Sequence, residues 1–517
     1  MQSEQTPFWY DMLPRLGSAE EFAAVRELFA RNGFEYEAVC RRIGVPQLFL
    51  LTSELENRYL DQPMEGALDA FVRVFTLGRS LETAAAVGLF GREGFTALTA
   101  LQLLAPRPDQ PEVSFSPVII HPAPGAVIVC DRNATPDGAK LPRMTSDVLY
   151  PALFANTLDF VARFPKTPCE NVLEIGTGTG TAAIQWSRVA REVWATDITP
   201  RAAHFAEFNV RLAGVKNVRV AQGDLYAPVN GMTFDRIACH PPFVPARKSA
   251  VIFRDGGDDG EQIARRIIEG LPRFLRPNGL FWASFMISDR QHESAEQRMR
   301  SWLGDANGEF DIGLSVDSRR TVAETIAQAA VDGIGTPEDL RYFSELWKAN
   351  RTHHLVHASV LIRRYGQARE PVSMRTQSGR GFTAKDLEWL LDWEVARRAP
   401  GFLDALLESR PLLAQACELR ATYKMQAGAV VSEEYTVQAE GPLQVSCKCP
   451  PWMARMLMEC DGSETARQRL ARVREAGSIP ADADPAEFAR VLAGLAAAGV
   501  ITIALAGQVE NSAGTDH

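Results

Sequence analysis

Four short runs between residues 173 and 243 carry the side chains that could do chemistry. They are Leu-Glu-Ile-Gly-Thr-Gly-Thr-Gly (173–180), Thr-Asp-Ile (196–198), Gly-Asp-Leu (223–225) and His-Pro-Pro-Phe (240–243). Each falls where an apolar run ends, which is where a parallel α/β sheet presents its ligand-binding loops. Gly176, Gly178 and Gly180, with Thr177 among them, allow a tight turn whose backbone approaches a ligand at a helix N-terminus. Glu174, just before the turn, would repel a pyrophosphate and suits an ammonium group. That favours S-adenosylmethionine (SAM) over a dinucleotide. Asp197 lies 21 residues after Gly176, beside Ile198, where an acid accepts hydrogen bonds from ribose hydroxyls. Asp224 is placed to accept from an adenine amino group, and Leu225 to offer its backbone N–H to the ring. Either aspartate alone could be a helix cap or turn residue. Their joint order and spacing point to a SAM pocket.

Such loops need a sheet to position them. Periodicity predicts a helix at 150–164, then strands at 172–175, 192–196, 218–221, 236–239 and 280–287. Helices are expected at 181–190, 201–213 and 262–275. This alternation implies an α/β fold, a Rossmann-like core with a doubly wound parallel sheet. Two further strands, at 310–316 and 355–363, bracket a helical stretch with Tyr342, Phe343 and Trp347. That insertion (317–352) reads either as a lid or substrate wall, or as a cover for the sheet edge.

The flanks are α+β in pattern. Residues 22–32 and 66–77 read as helices, 79–104 as a winged-helix-like helix–turn–helix, and 113–130 as a hairpin. Residues 131–143 are rich in turn formers and read as a linker. After residue 380 come helices at 384–397 and 402–416, β-rich runs at 419–425, 429–437 and 443–448, and a winged-helix-like unit at 450–505. Three domains are expected: a cap (1–130), the core with its insertion (131–366) and a C-terminal domain (367–517).

The stretch from about residue 140 to residue 290 resembles the class I SAM-dependent methyltransferases. Within them it is most similar to the small-domain group that includes release-factor glutamine N5-methyltransferases and some rRNA guanine N2-methyltransferases. Residues 172–180, 195–202, 223–226, 234–245 and 253–261 carry the likeness. In that group the fourth motif is Asn-Pro-Pro-Tyr or Asn-Pro-Pro-Phe. Its Asn side chain and first proline carbonyl accept from a planar amino group, aiming the nitrogen at the sulfonium methyl. The aromatic residue stacks on the substrate. The resemblance therefore implies acceptor-site roles for Pro241, Pro242 and Phe243, with Tyr150 beside the substrate.

His240 stands where the group has Asn. A neutral imidazole accepts one hydrogen bond or takes a proton, so His240 could orient an amine or act as a general base. It could also only shape the pocket floor, with the proline carbonyl orienting the nucleophile. The expected activity is methyl transfer from SAM to a nucleophile, nitrogen above all, on a small molecule or protein side chain. Three alternatives stay open: a SAM-using cyclase or other group transferase, an rRNA methyltransferase, and a SAM-sensing regulator without catalysis.

Charge and composition narrow the partners. The net charge of −9 gives no overall attraction to nucleic acid or anionic membrane. Residues 1–110 hold 10 Lys/Arg against 15 Asp/Glu, and 451–517 hold 6 Arg against 9 acids, so neither flank offers a DNA-reading basic face. No apolar run is long enough to span a bilayer. The first residues lack a signal-peptide pattern, and eight scattered cysteines read as reduced thiols, so a cytoplasmic location is expected. No metal is expected. Cys447 and Cys449 lack a second ligand pair, and His353, His354 and His357 alternate between strand faces. The run 255–260 has a calcium-loop look, but Gly257 and Arg266 occupy ligand places. A loop closing over the substrate is the better reading. Oligomeric state is not legible.

Overall fold

The computed structural model describes residues 7–139, 145–247, 251–333, 335–365, 369–414 and 417–503. The ends of three expected segments (140–143, 415–416 and 504–505) lie outside the described residues. The chain clusters into two compact units. One holds residues 1–307, 320–355 and 363–367; the other holds 308–319, 356–362 and 368–517.

The first unit contains the sheet that the four runs require. Its strands are β1 (Cys169–Ile175), β2 (Ala190–Asp197), β3 (Val218–Gln222), β4 (Phe234–Cys239) and β5 (Leu275–Arg290). They lie in the order β5-β4-β1-β2-β3, and every pair is parallel. The chain direction of the order reverses between β1 and β4, the switch point where such sheets bind ligands. Helices α1 (Thr181–Trp186), α2 (Pro200–Ala213) and α3 (Gln262–Phe274) connect the strands. Residues 172–175 of β1 are all buried, as a strand covered on both faces requires.

Local chemistry sets the boundaries. Helix α2 begins where the Thr199 hydroxyl accepts from Ala202 N–H, with Pro200 in the first turn, and ends at Gly214 in the left-handed region (φ 72°). Helix α1 is shorter than its pattern suggested, because Ala190 already belongs to β2. The intervening turn is tied down by Asn217, whose amide donates to the Ser187 and Ala190 carbonyls at 2.8 and 2.9 Å. The helix expected from residue 150 starts at Ala155. Pro151 disfavours helical geometry at Tyr150 and leaves it in the preceding segment.

Residues before 131 pack on this sheet domain. The helix Ala19–Arg31 opens with a Ser18/Glu21 capping box and buries Phe22, Val25, Leu28 and Phe29. Phe22 meets Phe208 of α2 edge-on at 5.0 Å, in an apolar cluster that also holds Ala202, Phe205 and Leu212. The helix–turn–helix expected at 79–104 takes the form of two helical runs within Thr83–Ala100 that meet at a kink at Gly91 (φ 73°). The expected hairpin is present, pairing Ile119–Ala123 with Ala126–Cys130. The linker reading fails where its run begins. Arg132 is buried and donates to the Ser116 carbonyl at 2.6 Å, and Asp131 is buried against Arg201 of α2, which donates from Nε at 2.9 Å. Turn-forming composition did not reveal that two charged residues inside the run pair with distant partners.

The insertion forms two helices, α4 (Val322–Val331) and α5 (Pro337–Ala349), each opened by a Thr capping box. Phe343, Trp347 and Leu355 form a small core with Val244 and Met286.

The second unit has its own apolar core, including Trp393, Leu406, Leu457, Phe488 and Leu492. Residues 312–316 pair in parallel with Ser373–Gln377. Further along, Cys417–Gln426, Ala429–Ala439 and Val445–Cys449 make an antiparallel meander, followed by helices Pro451–Met458, Ala466–Glu475 and Pro485–Ala497. The helix expected over 402–416 ends at Glu408, before Pro411. Leu412–Leu413 then pairs with Ile501–Thr502.

Candidate cofactor and acceptor site

The parallel register brings the four runs to one end of the sheet. Glu174 pairs with Ala195 on one side and Ala238 on the other, so β1, β2 and β4 finish together. The glycine turn after β1 is stitched to β2, since Gly176 and Thr177 N–H both donate to the Thr196 carbonyl, at 2.8 and 3.0 Å. The Thr196 hydroxyl bonds back to the Glu174 carbonyl at 3.2 Å and reaches the Leu225 carbonyl at 3.4 Å. Gly223 N–H donates to the Asp197 carbonyl at 2.8 Å. Glu174, Gly176, Thr177, Gly178, Asp197 and the Asp224–Leu225 turn therefore form one connected array. Thr196, which organises it, lies in the second run but was given no role there; a threonine ending a buried strand carries no signal of its own.

The glycines differ in purpose. Gly176 (φ 72°) and Gly178 (φ 55°) adopt left-handed backbone, and a Cβ on either would meet nothing within 4 Å. Space lies open above the turn. Gly180 (φ 78°) instead lets α1 approach α2, since its Cβ would lie 3.2 Å from Ala206 Cα.

Two carboxylates border that space. Glu174 is buried and accepts from the Thr177 hydroxyl at 2.8 Å. Burial pushes its carboxyl up to about 8, against the lowering effect of that bond. Asp197 accepts from Gly178 N–H at 3.0 Å and Thr199 N–H at 3.1 Å, and burial still raises its carboxyl. Among the described residues no Lys or Arg pairs with either group. Ile198 is 52% exposed beside them. Asp224 faces Arg266, whose Nη2 donates to Oδ2 at 2.6 Å.

His-Pro-Pro-Phe continues from β4 at the switch point. The His240 ring lies 5.8 Å from Phe160 and 6.3 Å, edge-on, from Phe243. A loop at 255–260 locks this backbone. Val244 N–H donates to the Arg254 carbonyl, Gly256 N–H to Val244, and Ala246 N–H to Gly257, all within 2.8–2.9 Å. Helix α5 reaches the same loop: the Tyr342 hydroxyl donates to the Asp258 carbonyl at 2.6 Å, and the Arg247 guanidinium lies 4.4 Å over the Tyr342 ring. The insertion thus borders the loop that follows His240-Pro241-Pro242-Phe243. The Tyr150 ring packs on Phe154 and Phe253, at 4.5 and 5.4 Å, in a patch where all three are 39–45% exposed.

Residues 155–308 match the family of methyltransferase small domains. The chain is 32% identical over 165 residues to the release factor glutamine methyltransferase of Moorella thermoacetica, covering 29% of this chain and 55% of that protein. It is 34% identical over 126 residues to the ribosomal protein uL3 glutamine methyltransferase of Bradyrhizobium diazoefficiens, covering 22% and 40%. The chain spans about half the length of the curated relatives it matches. Among solved structures, precorrin-6y C5,15-methyltransferase from Geobacter metallireducens is similar at 13% identity and a TM-score of 0.26, over 43% of this chain and 94% of that one.

The donor set at this site fits SAM. Glu174 and Asp197 offer acceptors to a cationic, hydroxyl-bearing ligand, whose ammonium would favour the ionised form of Glu174, and the glycine turn leaves open space beside them. Among the described residues, no group of three or more His, Cys, Asp or Glu side chains is placed to hold a metal ion. Nor is any described helix long and apolar enough to cross a membrane.

Proposed function

We propose that this protein transfers a methyl group from SAM to a nitrogen nucleophile on a protein side chain or small molecule. The observation that carries the reading is the array at the switch point. Two uncompensated carboxylates, Glu174 and Asp197, are hydrogen-bonded to the glycine turn, and His240-Pro241-Pro242-Phe243 follows the adjoining strand.

In this reading Glu174 receives the ligand's ammonium, Asp197 its ribose hydroxyls, and Asp224 with Leu225 its adenine. Bound SAM supplies an electrophilic methyl on a sulfonium. The chain's own work is orientation. The Pro241 carbonyl and His240 accept from the nucleophile's N–H groups, which directs the nitrogen lone pair. Phe243 offers a face to a flat group. As the new C–N bond forms and the C–S bond breaks, the nitrogen must shed a proton, and His240 is the nearest base in the motif. Two observations support a protein acceptor: the relatives named above are glutamine methyltransferases, and the exposed Tyr150–Phe154–Phe253 patch adjoins the acceptor loop.

Incubation of the purified chain with methyl-labelled SAM and size-fractionated cell extract tests the reading. Label in the protein or small-molecule fraction is expected, with S-adenosylhomocysteine as co-product. Label confined to RNA, methylthioadenosine as the product, or tight SAM binding without turnover would select one of the three alternatives instead.

A further inference from the structure

Arg266 has no place in the chemistry described so far. It lies one turn into α3 and donates from Nη2 to Asp224 Oδ2 at 2.6 Å. The side chains are 49% and 45% exposed, a setting in which an ion pair adds little to stability. Its geometry is nevertheless set by packing rather than chance. Tyr226, two residues after Asp224, is buried and donates through its hydroxyl to the Ile267 carbonyl, next to Arg266, at 2.7 Å. The Tyr226 ring stacks on Phe274 at 4.2 Å. A Cβ at Gly270 would strike that ring, so glycine lets α3 come close enough. The opposite side of the turn is equally constrained. Leu225 holds φ at 50°, Gly223 N–H is bound to the Asp197 carbonyl, and Ala227 N–H is bound to the Asp224 carbonyl at 3.0 Å.

We propose that Arg266 is a cofactor-positioning residue. It holds Asp224 by Oδ2 and so presents the second carboxylate oxygen to an exocyclic amino group on a purine. This rests on the SAM reading above. An amino group donates to a carboxylate, and the neighbouring ring nitrogen accepts from Leu225 N–H. An oxo group in the same place turns lone pairs toward the carboxylate, and the ring nitrogen becomes a donor facing a donor. A carboxylate pinned through one oxygen cannot turn away to relieve that mismatch, so Arg266 sharpens the choice of base. A merely solvated surface pair would have no effect on it.

Calorimetry on the full chain with two probes, S-adenosylhomocysteine and its deaminated analogue S-inosylhomocysteine, decides the matter. Wild type is expected to favour the adenosyl compound by about a hundredfold or more, as sites built around one hydrogen-bond pattern do. Arg266→Ala should narrow that ratio by about tenfold, chiefly through weaker adenosyl binding, and Arg266→Lys should restore part of it. An unchanged ratio in Arg266→Ala, or tighter adenosyl binding, would overturn the role of Arg266 while leaving the SAM reading intact. Failure of wild type to bind either probe would overturn both.

Discussion

Asp197 Oδ2 accepts a hydrogen bond from the Gly178 backbone N–H at 3.0 Å. The acid ending β2 therefore fastens the glycine turn ending β1, and in the proposed reading the same side chain also serves the ligand. Asp197→Ala should weaken SAM binding by about tenfold to a hundredfold, the loss associated with charge-assisted hydrogen bonds. Titration calorimetry reads this directly. Asp197→Asn should fall between, because it retains an acceptor for Gly178 but loses the charge.

The proposed function puts His240 on the acceptor side. His240→Ala should leave SAM affinity within about twofold of wild type and lower turnover by about a hundredfold or more, the range for a positioned acid–base group. Label transfer to an extract-derived acceptor measures the second quantity. Equal loss of SAM affinity in the Asp197 and His240 variants would remove this division of roles.

Glu174 makes stability depend on pH in a definite direction. Its carboxyl ionises at 4.5 ordinarily and at about 8 when folded. Between these values the folded protein holds a proton that the unfolded chain has released. Stability therefore falls as pH rises through this window, by at most about 1.4 kcal/mol per pH unit from this group, and levels off outside it. Urea midpoints of the ligand-free protein across the window should show the fall, and Glu174→Gln should flatten it. Saturating SAM should also reduce it, since an ammonium stabilises the ionised carboxylate.

Gly256 and Gly260 leave no room for a side chain. A Cβ at Gly256 would stand 2.6 Å from the Pro242 carbonyl oxygen, and one at Gly260 would stand 2.5 Å from that of Phe243. Both obstacles are backbone atoms of the acceptor motif. Gly256→Ala is expected to lower turnover by about a hundredfold through displacement of that motif, with SAM affinity retained. Comparing kcat with the SAM dissociation constant separates this from general unfolding.

Asp131→Ala tests the buried pair with Arg201. Arg201 also stacks on Tyr10, 3.7 Å from the ring centroid, and donates to the Tyr10 carbonyl. Removing the acid leaves a buried guanidinium uncompensated, which costs about 3–5 kcal/mol. Chemical denaturation should record that loss, and Asp131→Asn a smaller one.

The strands were legible because β1, β2 and β4 are short apolar runs that each end in a glycine, an acid or a proline pair, and those signals are local. The same locality explains what was missed. Asp131 and Arg132 sit in a run whose composition says turn, yet their partners Arg201, Ser116 and Gly78 are distant in sequence. Thr196 and Arg266 resemble any strand-end threonine and any helix-surface arginine until the register puts them beside Glu174 and Asp224. Tyr342 showed as an aromatic in an insertion with two possible uses. Its hydroxyl bond to Asp258 fastens the insertion to the loop at 255–260, a partner that no local signal names. His240 could be located from sequence, but its chemical part depends on a nucleophile the chain does not contain.

The bonds from Tyr342 to Asp258 and from Arg201 to Tyr10 cross the borders of the segment 155–308 that matches the methyltransferase small domain. Excising that segment as a minimal catalytic fragment would keep all five strands and the carboxylates of Glu174, Asp197 and Asp224, but not Asp131. It would also discard the inserted helices that brace the acceptor loop and the N-terminal stretch that packs on α2. Such a fragment would retain the recognisable signature and lose the bracing that makes it a shaped site, so transplanting or engineering this domain calls for borders set by its contacts rather than by its sequence likeness.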